Sequence, residues 1–181
     1  FRSMDDINTV EMTVDGMTTA MISGQIDAAA SWSPNTVTLQ NALGDNYVDL
    51  GTNADFLDSA IFPSSYICTP EYAEANHDIL VRFAQALDKA HDWRAAHPEE
   101  MAKLLAKELD APEDTMLAAV GEADWQTITE VCGDMDAIKT VYETQQGIFL
   151  DNGTITENVP VEDYVLFDVM QEAYDAYSAA K

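Results

Sequence analysis

The residues best suited to chemistry end one short stretch, Gly24-Gln-Ile-Asp-Ala-Ala-Ala-Ser-Trp-Ser-Pro-Asn35. Within four positions Trp32, Ser33 and Asn35 offer an aromatic face, a hydroxyl and an amide. That is chemistry for holding a small molecule by stacking and hydrogen bonds. Two readings of each stay open. Trp32 stacks on a flat or apolar ligand, or packs between a helix and a sheet. Ser33 caps the helix that Pro34 opens, or that helix start presents its free N–H groups to an anionic ligand group. Asp15-Gly16 precedes a second such helix start.

Bond-breaking chemistry finds less support. His77 follows a helix cap, His91 sits within a helix, and His97 reads as a cap itself. There is no H-E-x-x-H, C-x-x-C, G-x-S-x-G or phosphate-loop pattern. We therefore expect no catalytic residue, no metal site and no cofactor. Glu99-Glu100 and the Asp134/Asp136 pair read as solvated helix-end charges. Cys68 and Cys132 do not make a disulfide scaffold. Cys68 reads as a small core residue and Cys132 as part of a loop, with a bridge between them as the alternative.

Charge narrows the partners. The chain carries 33 acidic residues against 8 Lys plus Arg, a net charge of -25. Nucleic acid needs a basic footprint and is excluded. An anionic membrane surface would repel such a chain, and no run approaches the ~20 apolar residues of a membrane span. At 47% hydrophobic, the sequence has enough apolar residues for a core. No Lys or Arg stands between Arg2 and Arg82. An anion bound in this half would have only N–H groups, hydroxyls and helix dipoles, whereas Asp15, Asp27 and Asp58 suit a ligand with amine or amidine donors.

The elements that must position these residues read as an alternation. Strands are expected at 7–14, 26–32, 47–51 and 61–68, from β-branched or short apolar runs. Helices are expected at 17–23, with Asp15 as cap, and at 34–43, with Gly24 just past the end of the first. From Thr69 on the pattern is helical. Ile79, Leu80, Phe83, Leu87 and Ala90 form one inward stripe; Met101, Leu104, Leu105 and Leu109 form another. Further helices start near Pro112, Met135 and Pro160. Strand and helix alternating in this way imply βαβ units and a largely parallel sheet, an α/β fold.

Three motifs in order carry a resemblance: Ser23-Gly-Gln-Ile-Asp-Ala-Ala-Ala-Ser-Trp-Ser-Pro-Asn35, Ser65-Tyr-Ile-Cys-Thr-Pro-Glu-Tyr-Ala-Glu-Ala-Asn76, and Asp92-Trp-Arg-Ala-Ala-His-Pro-Glu-Glu-Met-Ala102. The sequence resembles solute-binding proteins of ABC importers, in the sulfonate/nitrate/taurine and thiamine-precursor branch, over roughly residues 8 to 150. Met101 stands where the family has Ala. The resemblance implies a type II periplasmic-binding-protein-like bilobal fold, of which this is the later part. Residues 1–52 would be most of the second α/β lobe, 53–68 the hinge connector and return strand, and 69–181 the helical closing part of the first lobe. It implies cleft-facing turns at Trp32, Ser33, Asn35, Asp15 and Gly16. It places Ser59, Ile61, Phe62 and Ser64 near the hinge, with Trp125 beside it or in the core. Trp93 reads as packing.

The expected function is the substrate-binding component of an ABC importer, extracytoplasmic, in the periplasm or on the cell surface. It captures a small organic solute between two lobes and delivers it to a permease without chemistry. The ligand would be a sulfonate, nitrate or a heterocycle such as a pyrimidine. The alternative is an enzyme on the same fold, similar to thiamine-pyrimidine synthases. The Cys-rich motif of those enzymes is absent here.

Overall fold

The computed structural model describes residues 6–56, 63–122 and 124–181. Among them the chain forms α1 (Val14–Ile22), α2 (Asn35–Leu43), α3 (Pro70–Ala75), α4 (His77–Ala96), α5 (Pro98–Glu108), α6 (Glu113–Ala119), α7 (Ile128–Cys132), α8 (Met135–Asp151) and α9 (Phe167–Ala179), with short 3-10 turns. The expected α/β bilobal fold is corrected: among the described residues there is no strand and no sheet.

The reason is a missing partner. A strand holds only when its N–H and C=O groups pair with a neighbour. Where they are described, the segments expected as strands run as irregular chain, except that Val14 joins α1. Residues 61 and 62 lie outside the described residues. Thr13, Tyr47 and Thr69 do have extended backbone. β-branched residues favour that conformation but cannot supply a ladder. Apolar side chains of these segments stay in water: Val10, Val48, Leu50, Tyr66 and Ile67 are exposed, and Ile67 is 93% accessible.

The chain divides into two compact units. Unit 1 comprises Phe1–Asp49 and Glu99–Asp124. Here α1 packs on α2, and α2 on α6. Thr13, rather than Asp15, caps α1, its hydroxyl accepting from the Gly16 N–H at 3.2 Å. Gly24 ends α1 as expected. Its φ of +70° lets its N–H reach the Met21 carbonyl at 3.1 Å, and the next N–H, of Gln25, reaches Ala20 at 2.9 Å. This is a Schellman closure that glycine enters without steric cost. Between α5 and α6, Ala102, Ala106 and Met116 are buried. The inward stripe expected on α5 is therefore corrected: Leu104, Leu105 and Leu109 are exposed. Alanines four apart let the neighbouring element approach closely, and the larger leucines turn outward.

Unit 2 comprises Leu50–Pro98 and Trp125–Lys181. Its centre is α4 against α9, with Val81, Val169 and Ala173 buried and Leu80 and Ala84 packed on them. The stripe expected on α4 is rotated: Ile79 and Phe83 are exposed, while Val81 and Asp88 are buried. Gln146 of α8 is buried because its amide is fully used. Its Nε2 donates to the Val159 carbonyl at 2.8 Å and to the Tyr164 hydroxyl at 2.9 Å, and its Oε1 accepts the Val159 N–H at 2.9 Å. Pro160 precedes only a 3-10 turn, Val161–Asp163, and α9 starts later, at Phe167. Cys68 is exposed rather than core, and both cysteines are free thiols.

Two acids one turn apart on α4 behave oppositely. Asp92 accepts from the Ile128 N–H at 2.8 Å and the Tyr177 hydroxyl at 2.9 Å, and pairs with Lys181. Burial alone would raise its pKa; the Lys181 ammonium, then the Ile128 and Tyr177 bonds, more than reverse this and leave it lowered. Asp88 is 7% accessible, and its Oδ2 has no partner among the described residues. Burial, then the nearby Asp92 charge, push its pKa up to about 6, with Lys181 opposing.

The two linkages have opposite signs. Asp92 binds its proton more weakly folded than unfolded, so its stabilisation is present at neutral pH and is lost as pH falls through its folded pKa. Asp92→Ala should cost about 2–4 kcal/mol at pH 7, since charge-assisted bonds are lost and the Ile128 N–H is stranded. Asp88 binds its proton more tightly folded, so its contribution is greatest below its unfolded pKa and fades as pH rises through about 6. Asp88→Asn should raise the neutral-pH melting temperature by roughly 2–4 °C, about 1 kcal/mol for this size. It should also flatten the decline between pH 4 and 6. Melting curves across pH check both; a destabilised Asp88→Asn at pH 7 would refute the second.

Candidate functional site

The sequence-expected residues fall in both units, and each unit is taken by itself. In unit 1 the backbone of Trp32 is anchored by the first turn of α2. Its carbonyl accepts the Asn35 N–H at 3.0 Å and the Thr36 N–H at 3.4 Å. Trp32 remains 62% accessible, so the core-packing reading of Trp32 is corrected. α2 has begun by Asn35, and its cap position is Pro34, which makes no side-chain cap bond. The expected Ser33 cap does not form. The Ser33 hydroxyl donates instead to Glu122 Oε2. The Thr36 hydroxyl donates to the same oxygen at 2.7 Å, and the two hydroxyls lie 3.4 Å apart. Glu122 reaches them from the 3-10 turn Val120–Glu122 that follows α6.

Asn35 ties this corner to α1. The buried Thr18 hydroxyl donates to the Val14 carbonyl at 2.8 Å and lies 3.3 Å from Asn35 Oδ1. Asp15 and Gly16 occupy the exposed first turn of α1. Ser31, directly before Trp32, carries a buried Oγ without a partner among the described residues.

In unit 2, Trp125 is half-buried, with the Arg94 guanidinium 5.3 Å from its ring centroid. That is a cation–π contact within a packed region. Ser64 is exposed on irregular chain. Its neighbour Ser65 is 2.6 Å from the Tyr142 hydroxyl. Ser59, Ile61 and Phe62 lie outside the described residues.

The histidines take structural places. His77 opens α4, with Glu172 at 3.0 Å and Asp168 at 3.8 Å; the Glu172 bond holds its pKa above the ordinary value. His91 is half-buried against Arg94, and burial, then that charge, lower its pKa. His97 ends α4, donates to the Trp93 carbonyl at 2.9 Å and stacks on the Trp93 ring at 5.1 Å. Burial, then Asp88, push the Cys132 thiol up to about 11, leaving little thiolate at neutral pH. Among the described residues no group of three His, Cys, Asp or Glu could hold a metal. A cavity of about 250 Å³ is lined by Met135, Asp136, Lys139, Glu162 and Phe167. Its Lys139 pairs with Glu162, and with Glu143 at 3.8 Å, so that cation is engaged by neighbours.

The arrangement around Trp32 offers an exposed aromatic face, hydroxyls and a carboxylate fixed from two directions. A carboxylate is too weak a base to make Ser33 a nucleophile unaided. Thr18, Thr36 and Glu122, which contact Asn35 or Ser33, are not among the residues singled out by the sequence. Glu122 stands in Gly121-Glu-Ala-Asp-Trp125, about ninety positions from its partners, and no local pattern links the two stretches.

A family model described as NMT1/THI5 like matches residues 2–101. Proteins of Brucella abortus strain 2308, Brucella suis biovar 1 and Brucella melitensis biotype 1, all named as binding proteins, are each 32% identical to this chain over 104 residues. The match covers 58% of this chain and 32% of each relative, so the chain spans about a third of the length of the curated relatives it matches. No solved structure matches. Among the described residues no helix is long and apolar enough to cross a membrane.

Of the three tryptophans, Trp32 is the most accessible, against 40% for Trp93 and a half-buried Trp125. Trp32→Phe should therefore remove the steepest component of acrylamide quenching. A Stern–Volmer slope unchanged by the substitution would contradict an exposed Trp32.

Proposed function

The chain belongs to the NMT1/THI5 like family, and on that premise we propose that it is a solute-binding protein of an ABC importer. It captures a small organic solute outside the cytoplasm and hands it to a membrane permease, with no chemistry on the ligand. The binding face comprises Trp32, Ser33 and Asn35, flanked by Asp15 and Gly16. The observation that carries this reading is Trp32, 62% accessible where α2 begins and followed by a hydroxyl bonded to Glu122. An exposed indole offers a flat face on which a ligand ring can stack. The relatives named as binding proteins support the same reading. Pyrimidines, sulfonates and nitrate are the solutes to be tried, as the resembling branch suggests.

A solute binding only the folded chain raises its stability by about 2.7 kcal/mol at a hundred times the dissociation constant. That is roughly 5–10 °C for a chain of this size. Thermal-shift screening against those solutes should find at least one such shift, and Trp32→Ala should abolish most of it. Turnover of the stabilising solute into a product, or a shift indifferent to Trp32→Ala, would contradict the proposal.

A further inference from the structure

We infer that Glu122 sets the charge preference of this face, and that its ligand is a small, flat organic cation that donates N–H bonds. The inference rests on the binding reading above and names the ligand class for the same residues. Glu122 Oε2 accepts both the Ser33 and the Thr36 hydroxyls, at 2.7 Å from the latter. Two donors on one oxygen fix the carboxylate group. Its Oε1 takes no hydrogen bond among the described residues and remains able to accept. A fixed carboxylate with a free oxygen is an anchor for an amidinium, guanidinium or protonated amino group.

Two observations besides Glu122 agree on the sign. An anionic ligand at the start of α2 would meet the Glu122 charge first, and like charges disfavour each other at close range. No Lys or Arg occurs on α1 or α2, and the basic residues of the described part of unit 1, Lys103 and Lys107, stand exposed on α5. The Trp32 face, adjacent in the chain to Ser33, attracts cations through its ring quadrupole.

The test uses three probes that share one ring: benzamidinium chloride, neutral benzamide and benzenesulfonate. Each is titrated into the full chain by calorimetry and by tryptophan emission. Benzamidinium should bind at least tenfold more tightly than benzamide, and benzenesulfonate should bind most weakly. Glu122→Gln, shown to be folded by circular dichroism, should remove that tenfold preference of benzamidinium over benzamide. Ser33→Ala keeps the charge but loosens its hold, and should weaken benzamidinium severalfold. Benzenesulfonate or benzamide binding as well as benzamidinium, dependent on Trp32, would overturn this inference and leave the binding reading standing. A benzamidinium affinity unmoved by Glu122→Gln would also overturn it. Silence from all three probes would count against both.

Discussion

With 33 acidic side chains and only 8 lysines or arginines, most carboxylates here have no cation to pair with. They must be satisfied by water or by neutral donors, and the ordered parts of the chain use the second route repeatedly. Asp92 gathers the Ile128 N–H, the Tyr177 hydroxyl and Lys181, and so joins α4 to α7, α9 and the chain end. Asp134 accepts the N–H groups of Asp136 and Ala137 and starts α8. Glu130 closes a capping box with Thr127 and starts α7. Glu122 takes the Ser33 and Thr36 hydroxyls and joins the end of α6 to the start of α2. Apart from Lys181 on Asp92, the donors these acids take are N–H and O–H groups of the chain. Asp88 shows the cost when no donor is in reach: a buried oxygen without a partner and a carboxyl that holds its proton.

The same shortage shapes the candidate site. A protein that recognises anions usually spends arginines or lysines on them. Unit 1 instead presents a carboxylate at the helix start where an anion would otherwise sit. Trp32 is exposed directly before Ser33 in the chain, and the Ser33 and Thr36 hydroxyls lie together at the start of α2. The chain belongs to a family whose matched relatives are named as binding proteins, which supports the proposed capture role.

Local features were legible in the sequence. Gly24 ends α1 with positive φ, and the helical pattern expected from Thr69 on begins with α3 at Pro70, capped by Thr69. Each depends on the intrinsic conformational preference of one or two residues. The sheet was not legible, because residues such as Val10, Val48 and Ile67 announce an extended backbone but not whether a partner strand lies beside it. Inward faces were misread where size misled: Ala102 and Ala106 are buried while Leu104 and Leu109 are exposed. Of the site, Trp32, Ser33 and Asn35 could be picked out by their order along the chain. Glu122 could not, since only the packing of α6 on α2 brings it near.

The most direct test of the account is native mass spectrometry of the protein purified gently from the cells that make it. The account predicts one non-covalent adduct, a small nitrogenous base released on mild activation, and its absence from Trp32→Ala. A sulfonate or other anion carried on the wild-type protein, and retained by the variant, would contradict it.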